Sequence, residues 1–470
     1  MLLAFGALLL FAAWSLGGTT VAVWLLAVSQ LCLFLNEARK GQVTGSGAFL
    51  FMSFLFFGMR PLYLVLESDY SLFYRVFVIR PEMQFVTTAM WWATLAGLCF
   101  AVGAQMPRRI QSATWSRRLL GSRVAAVRPL VKASTAVFLF FAQIATLPVI
   151  YLLARGAGRG LYASGLGAYA YDVPVPMQAI HIFAVVVLVE RYLRRKTAGN
   201  VAILVASAAA FLAFTWLMRD VSNFRGFYLT GLLIAGIAVL QRLKPRVGYA
   251  WLVIPIMVAQ PFFKYLGEQR SLKNEDIAEA DIAAEVFKDE GMLMAYWNFY
   301  QAAGGDMNIF DTFAAATKAE PAYYPYALSW LYVPFHFVPR FLWKDKPQRG
   351  VLIDMKFTRG APLSPGIAGF FLLDGGFAWM LLSMLVLGYL IALLDCYVLT
   401  MRPGYLQSCL VGIVVINAMF LTRFFLWQYF YQMLYAAIPC FVLAWYLNKQ
   451  GANPKPRAPN LRGTRAVYSG

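Results

Sequence analysis

The sequence predicts an all-α, polytopic integral membrane protein with about 12 transmembrane helices. Of its 470 residues, 60% are hydrophobic and only 13% are charged, whereas a soluble domain carries about 25% charged residues. Apolar runs long enough to cross roughly 30 Å of hydrocarbon recur along most of the chain. This composition excludes a soluble globular protein, and it also excludes a disordered chain or a coiled coil, because both need far more polar or charged residues.

Twelve apolar runs carry this prediction, and the first two of them are short and separated only by Gly17-Gly18, so eleven spans is the alternative. The N-terminal run lacks a basic region in front of it and is followed at once by another run, which favours a membrane helix over a cleaved signal peptide. The predicted spans lie near 2–17, 19–36, 46–66, 84–104, 131–154, 177–192, 201–218, 226–241, 249–266, 367–394, 406–423 and 427–447.

The basic residues predict the orientation of these spans. The chain has 41 Lys and Arg against 22 Asp and Glu, a net charge of +19. Such an excess is typical of nucleic-acid binding, but here it lies in short loops between apolar runs, so we expect no nucleic-acid partner. Excess Lys and Arg mark cytoplasmic loops. We therefore predict a multi-pass membrane protein with both termini in the cytoplasm and with the less basic loops on the external side.

The predicted organisation follows the order of the spans. It comprises a bundle of about nine spans at 1–266, a large external loop at 267–365, three final spans at 366–447 and a basic cytoplasmic tail at 448–470. Within the loop, Glu268–Glu290 reads as an amphipathic helix. Aromatic residues and prolines crowd Tyr323–Trp343, which favours an interfacial or re-entrant helix. Neither GxGxxG nor GxxxxGK[ST] follows a strand, so no nucleotide-binding domain is predicted.

Five arginines on the predicted external side are candidates for substrate binding. A guanidinium forms planar, bidentate hydrogen bonds with phosphate oxygens and stays charged when it is partly buried. Converging arginines would therefore suit a pyrophosphate held at the membrane surface. The alternative for each one is anchoring at the interface, with its charged end reaching water. The five are Arg219, Arg225, Arg340, Arg359 and Arg423.

A hydroxyl group that acts as a nucleophile needs a nearby base, which is normally a carboxylate or a histidine. The candidates are His336, Asp220 and Asp374, with an interfacial hydrogen bond or a simple salt bridge as their alternatives. His181 lies inside a predicted span and is expected to be a packed core residue. With two histidines, and with all five cysteines inside apolar runs, a zinc site is not expected. Carboxylates leave a divalent cation open, but no metal or other cofactor is predicted.

The segment Phe337–Pro347, with the sequence FVPRFLWKDKP, resembles the "IPR-x-hydrophobic-W-x-x-KP" signature of Wzy-type oligosaccharide repeat-unit polymerases. Leu363–Gly369 and the following Asp374-Gly375-Gly376 resemble that family's loop entering a span with a glycine-rich turn. Arg225-Gly226 and Arg423 fall where members of the O-antigen and enterobacterial common antigen type carry arginines. The resemblance covers roughly residues 219 to 430.

This resemblance implies a GT-C-like, metal-independent glycosyltransferase of the bacterial inner membrane, with its active site facing the periplasm. It would transfer a growing glycan from undecaprenyl pyrophosphate to the non-reducing end of a new lipid-linked repeat unit on the periplasmic face. Arginines would hold the leaving pyrophosphate, and the acceptor sugar would stack on an aromatic residue such as Trp343. Family members often carry an acid or a histidine beside the last arginine, where this chain has Phe424. A Wzz-type chain-length regulator is the protein partner that the resemblance implies.

Three other functions fit parts of the sequence. An O-antigen ligase, which transfers finished glycan to the lipid A core, would use the same lipid pyrophosphate donor and the same arginines. A flippase of lipid-linked sugars would carry broken helices in matched halves of an internal repeat, and no such repeat is found in the sequence. A scaffold subunit of an envelope complex would leave the external arginines without a chemical role.

Overall fold

The computed structural model describes eleven stretches of the chain, and within them the secondary structure is helical, with no β-strand. The described residues are 18–67, 83–114, 131–157, 174–221, 226–244, 247–257, 309–317, 328–335, 364–401, 404–423 and 426–451. Eight of their helices are long and apolar enough to cross a membrane. The prediction of an all-α, multi-pass protein is thereby confirmed for this part of the chain.

We number the helices in chain order. They are α1 (Thr19–Ala38), α2 (Gly45–Ser53), a π-helix (Phe54–Met59), α3 (Arg60–Glu67), α4 (Met83–Thr114), α5 (Ala133–Ala157), α6 (Pro174–Arg194), α7 (Ala198–Val221), α8 (Gly226–Leu243), α9 (Ile309–Ala316), α10 (Leu328–Phe335), α11 (Gly366–Thr400), α12 (Tyr405–Leu421) and α13 (Leu426–Gly451).

The eight long helices coincide with predicted spans, with α2, the π-helix and α3 forming one continuous span, Gly45–Leu66. Shorter apolar helices at Thr230–Leu243 and Tyr405–Leu421 occupy the predicted spans 226–241 and 406–423. The predicted span 249–266 is described only as far as a helical segment at 250–257. The predicted span 2–17 lies outside the described residues, so the count of twelve stays a prediction.

The distribution of polar and apolar side chains is that of a protein surrounded by lipid. In α5 and α7, large apolar side chains point outward, with Leu152 68% and Trp216 63% exposed. Polar side chains of the same two helices, Gln143 and Ser207, are fully buried. In water this arrangement would forfeit the stabilisation that apolar burial supplies. In a bilayer it costs little, because lipid tails are as apolar as these side chains.

The described residues group into two compact units. The first contains those within Met1–Arg123 and Leu232–Tyr435, and the second contains those within Val124–Gly231 and Ala436–Gly470. The predicted organisation divided the chain into consecutive segments, whereas each of these two units is defined by packing and combines separate parts of the chain.

In the second unit, a closed hydrogen-bond network joins three helices. Thr146 Oγ1 donates to the Gln143 carbonyl at 2.7 Å and lies 2.8 Å from His181 Nε2. Gln143 Nε2 lies 3.2 Å from His181 Nδ1, and Gln143 Oε1 accepts from Ser207 Oγ at 2.6 Å. A neutral imidazole that donates from Nε2 and accepts at Nδ1 satisfies every partner. His181 is therefore a packed core residue, as predicted.

In the first unit, α4 and α11 pack closely against each other. Phe100 and Ala104 of α4 lie beside Gly388, while Leu385 of α11 lies beside Gly103. A side chain at either glycine would collide with a backbone carbonyl of the other helix. Small residues that admit such close approach are a common means of helix association in membranes.

The N-terminus of α2 is capped by distant residues of the first unit. The Asp395 carboxylate accepts hydrogen bonds from Gly45 N at 2.6 Å, Ser46 N at 2.9 Å and Ser46 Oγ at 2.5 Å. Thr44 N donates to the Tyr249 hydroxyl at 3.2 Å, and Gly47 N donates to Thr44 Oγ1 at 3.1 Å. The backbone N–H groups of residues 44 to 47, which a helix leaves without internal partners, are thus all bonded to protein.

Candidate functional site

Helix α11 is broken near its start. Gly375 (φ −169°, ψ 16°) and Gly376 (φ 79°, ψ −171°) leave the helical conformation, and the positive φ at Gly376 is one that glycine adopts without strain. The break separates a half-helix, residues 366–374, from a long arm, residues 377–400. The sequence predicted one span at 367–394, and the glycine-rich turn noted there is this break.

Both arms of α11 contact one side chain of α10. The indole of Trp330 stacks on Phe371 of the half-helix, with ring centroids 5.6 Å apart and planes 4° apart. Trp330 Nε1 also donates to Ser383 Oγ of the long arm at 3.1 Å. An unbroken helix would separate Phe371 from Ser383 by about 18 Å along its axis. The break therefore brings the two arms together on α10.

The half-helix begins against the C-terminal end of α12. Ser364 Oγ donates to the carbonyl of Arg423 at 2.5 Å, and Ile367 N donates to the carbonyl of Thr422 at 3.4 Å. Gly366, which joins these contacts, has φ +68°. The carbonyls at the end of α12 would otherwise lack partners, so this docking satisfies backbone groups of both segments.

The short helix α9 packs beside the start of the half-helix. All eight of its residues are buried. The ring of Phe313 lies edge-on to Phe57 of the π-helix, with centroids 5.6 Å apart, and Ile309 packs beside Gly366. A segment of the predicted external loop is thus enclosed by apolar helices. The re-entrant element was predicted at Tyr323–Trp343, where α10 now lies, whereas α9 belongs to a stretch for which no element was predicted.

Two charged residues are buried where α9 meets α3. The guanidinium of Arg60 donates to Asp311 from Nη2 at 2.8 Å and from Nε at 3.3 Å. Arg60 is 1% exposed and Asp311 is fully buried. Burial raises the pKa of the Asp311 carboxyl, and the facing guanidinium opposes that rise. Neither residue was a candidate in the sequence, although Arg60 lies inside a predicted span, where a charge is functional by default.

We call the meeting point of these elements the central junction and define it by its residues. At this junction, the π-helix and the half-helix of the broken α11 lie close to buried charged residues. Membrane proteins tolerate such irregular backbone only where it is enclosed by protein or lines a cavity. The central junction comprises residues 54–60, 309–316, 364–374 and 422–423.

Two of the predicted site residues, Asp374 and Arg423, belong to the central junction. Asp374 ends the half-helix, is 4% exposed, and accepts the Ser329 N–H with Oδ2 at 3.0 Å. It therefore caps the N-terminus of α10, an arrangement that a helix dipole favours. The Ser329 side chain is a second hydrogen-bond partner of this carboxylate. Arg423 is half-buried, and its carbonyl anchors Ser364.

Of the other predicted site residues, two belong to α7 and five lie outside the described residues. Arg219 and Asp220 belong to the last turn of α7, where the backbone alone is described. Outside the described residues lie Arg225, His336, Arg340, Trp343 and Arg359.

Replacing Gly366 with Ala should open the central junction. The new methyl group would lie 2.6 Å from the Thr422 carbonyl oxygen and 2.9 Å from Ile309 Cγ2, and φ +68° disfavours any L-residue. The strain costs about 1 to 2 kcal/mol, and overpacking adds about 1 to 3 kcal/mol. We expect the midpoint of thermal unfolding in detergent to fall. The measurement is size-exclusion chromatography of heated samples.

Two further glycines separate these causes. Gly376→Ala has a positive φ but no atom near the new methyl group, so it should show the strain alone. Gly236→Ala lies in a helix with open space and an ordinary φ, and should be neutral or slightly stabilising. If Gly366→Ala is as stable as Gly236→Ala, the strain at Gly366 and its close approach to Thr422 and Ile309 are wrong.

Among the residues that the structure describes, no group of three or more His, Cys, Asp or Glu could hold a metal ion. No protein-family model, curated protein or solved structure matches this chain.

Proposed function

We propose that this protein is a GT-C-like glycosyltransferase that polymerises undecaprenyl-pyrophosphate-linked oligosaccharide repeat units into a surface polysaccharide, on the periplasmic face of the bacterial inner membrane. The observation that carries the proposal is the central junction, whose buried half-helix is bonded at its start to the carbonyl of Arg423 and ends at Asp374. A lipid-linked donor presents its pyrophosphate at the membrane, so a site built from spans and loop segments suits it. The resemblance of Phe337–Pro347 to the polymerase signature supports the same substrate class.

The proposed reaction is a single glycosyl transfer. A hydroxyl oxygen of the acceptor sugar attacks the anomeric carbon of the donor glycan, and the bond from that carbon to the pyrophosphate oxygen breaks. The hydroxyl proton passes to a protein base, and undecaprenyl pyrophosphate leaves with the electron pair. Fixed cations near the leaving group lower the barrier, because they stabilise charge where it develops.

We assign the residues to these steps by their chemistry. The base is drawn from Asp374, Asp220 and His336, of which Asp374 has a described geometry. Trp343 would stack against a sugar ring. The leaving pyrophosphate would be held by the five arginines predicted from the sequence, namely Arg219, Arg225, Arg340, Arg359 and Arg423. Neither a metal nor another cofactor is required, and a Wzz-type chain-length regulator is the proposed partner.

A flippase of lipid-linked oligosaccharides is the second candidate, and the broken helix α11 favours it. Discontinuous helices form the substrate sites of many transporters. The central junction would then hold the lipid pyrophosphate during passage, without bond exchange. An O-antigen ligase differs from the polymerase only in its acceptor.

One experiment separates these functions. Purified protein in liposomes is incubated with lipid-linked repeat units alone, and the products are resolved by glycan length. The polymerase produces a ladder. Transfer that requires added lipid A core indicates the ligase, and movement of the lipid across the bilayer without any transfer indicates the flippase and would falsify the enzyme proposal.

Replacing Arg225, Arg340 or Arg423 with Ala should slow ladder formation by about 10- to 100-fold, because a hydrogen bond to a charged group contributes about 1.5 to 3 kcal/mol. The amount of each variant in the membrane should match wild type. Arg39→Ala is the matched control, since Arg39 is exposed and lies in the loop predicted to be cytoplasmic. Near wild-type rates in all three variants would contradict the pyrophosphate assignment.

A further inference from the structure

The Arg60–Asp311 ion pair joins α9 to the span Gly45–Leu66. The bond from Nη2 measures 2.8 Å and the one from Nε 3.3 Å, so both edges of the carboxylate face the guanidinium. Both side chains are excluded from solvent. A two-point contact of this kind fixes the relative orientation of the two side chains as well as the distance between them.

Stability alone does not account for this pair. Removing two charges from water costs several kcal/mol per ion, and well-packed apolar residues of similar size often replace a buried pair with no loss of stability, or with a gain. The pair therefore supplies something that an apolar contact would not. A fixed arrangement of the two partners is the property that a directional, two-point contact adds.

The location of the Arg60–Asp311 pair indicates which segments it would hold in position. Helix α9 has eight residues, fewer than the roughly 12 to 15 that an isolated helix needs to persist, so its position depends on tertiary contacts. Arg60 directly follows the π-helix Phe54–Met59. A π-helix is a rare departure from α-helical geometry that is frequent at functional sites. Here it shifts the register of the chain just before the charged residue.

A continuous series of contacts leads from the pair to the proposed site. Ile309 and Phe313, which flank Asp311 on α9, pack beside Gly366 and Gly369 of the half-helix. The start of the half-helix is bonded to the carbonyl of Arg423 through Ser364. Its end is Asp374. A shift of α9 would therefore move the segments that carry both proposed site residues, and a displacement of about 1 Å can cost 100-fold in rate.

We propose that Arg60 and Asp311 are positioning residues, which set the place of α9 against the half-helix and thereby align Asp374 and Arg423 for transfer. The inference rests on the proposed function for its kinetic readout. Neither residue touches the reacting atoms in this proposal.

The kinetic test uses the apolar pair Arg60→Met/Asp311→Leu in the reconstituted polymerase assay. We expect wild-type or higher thermal stability, with kcat lower by about tenfold or more and a smaller change in KM. The charge-swapped pair Arg60→Asp/Asp311→Arg should recover part of the activity that each of its single substitutions loses. The matched control is Glu190→Met/Arg194→Leu, which removes an ion pair of 2.5 Å on α6 and should leave kcat unchanged.

A second test needs no activity. In a background without the five native cysteines, Phe57→Cys and Phe313→Cys place thiols on the π-helix and α9, where the two rings are in contact. We expect oxidation to form this disulfide with Arg60 and Asp311 present, and the yield to fall several-fold in the apolar pair.

The outcomes separate the two proposals. If wild type forms no ladder, the proposed function fails, and the disulfide yields alone decide the inference. If wild type forms a ladder, wild-type kcat in the apolar pair overturns the inference. An unchanged disulfide yield in the apolar pair overturns it as well. If the activity of the apolar pair falls only in proportion to its thermal stability, the ion pair is a packing contact, and the inference is overturned in that case too.

Discussion

Asp374→Asn should lower the rate of glycan polymerisation by at least about 100-fold, because a positioned general base contributes about 10²- to 10⁴-fold. The amide is almost the same size as the carboxylate, and its oxygen can still accept the Ser329 N–H that Oδ2 accepts at 3.0 Å. The cap on α10 therefore survives the substitution. What the amide cannot do is take a proton from the acceptor hydroxyl.

Asp374→Ala provides the comparison, because it removes both the proton acceptor and the cap. We expect this variant to lose activity and also about 1 kcal/mol of stability, which is typical of a lost N-cap. The thermal midpoint in detergent should fall for Ala and stay near wild type for Asn. If Asp374→Asn polymerises at the wild-type rate, Asp374 is a capping residue only, and the base is left to His336 or Asp220.

The spans could be predicted from the sequence because their physical cause is local. Crossing hydrocarbon requires about 20 apolar residues in a row whatever surrounds them. Thr19–Ala38 and Ala133–Leu153 accordingly coincide with predicted runs. The burial of His181 was equally predictable, since a lone histidine inside such a run must find its partners within the protein.

The central junction could be predicted only in pieces, because its causes are not local. The pair Gly375-Gly376 was visible as a glycine-rich turn, but nothing in the pattern indicated that the arms on either side would meet on Trp330. Helix α9 has ordinary apolar residues around Asp311, and its partner Arg60 lies 251 positions away. A rule that flags every charge inside a span would have found Arg60. It would not have found the carboxylate that pairs with it.

Several buried polar groups of the first unit form hydrogen bonds with backbone groups at the ends of helices. Asp395 bonds the free N–H groups of α2, Asp374 does so for α10, and the carbonyl of Thr422 accepts the N–H of Ile367. Each sits where a helix begins or ends inside the protein. Asp374, Asp395 and Thr422 are buried in the protein, and a buried polar group without a partner is costly, so the chain has to supply partners from elsewhere in its own length.

Asp395→Ala should therefore be the most destabilising single substitution that we predict. It would leave the N–H groups of Gly45 and Ser46 and the Ser46 hydroxyl without the acceptor that now bonds all three. Each buried polar group left unpaired costs about 1 to 3 kcal/mol. Because the losses at neighbouring groups are not additive, we expect about 3 to 5 kcal/mol in total. The measurement is the fraction of protein that stays monodisperse in detergent after a graded heat challenge.

Two variants show whether the cap is the cause. Asp395→Asn keeps one acceptor oxygen and should lose about half as much stability as Ala, since an amide oxygen still serves one N–H group while its own NH₂ faces the other donors. Thr400→Ala is the matched control on the same helix, because the Thr400 hydroxyl is exposed and bonds only to carbonyls of its own turn among the described residues. Equal stability of Asp395→Ala and Thr400→Ala would contradict the cap. A stable Asn variant beside an unstable Ala variant would instead show that α2 needs an acceptor at its N-terminus and not a negative charge.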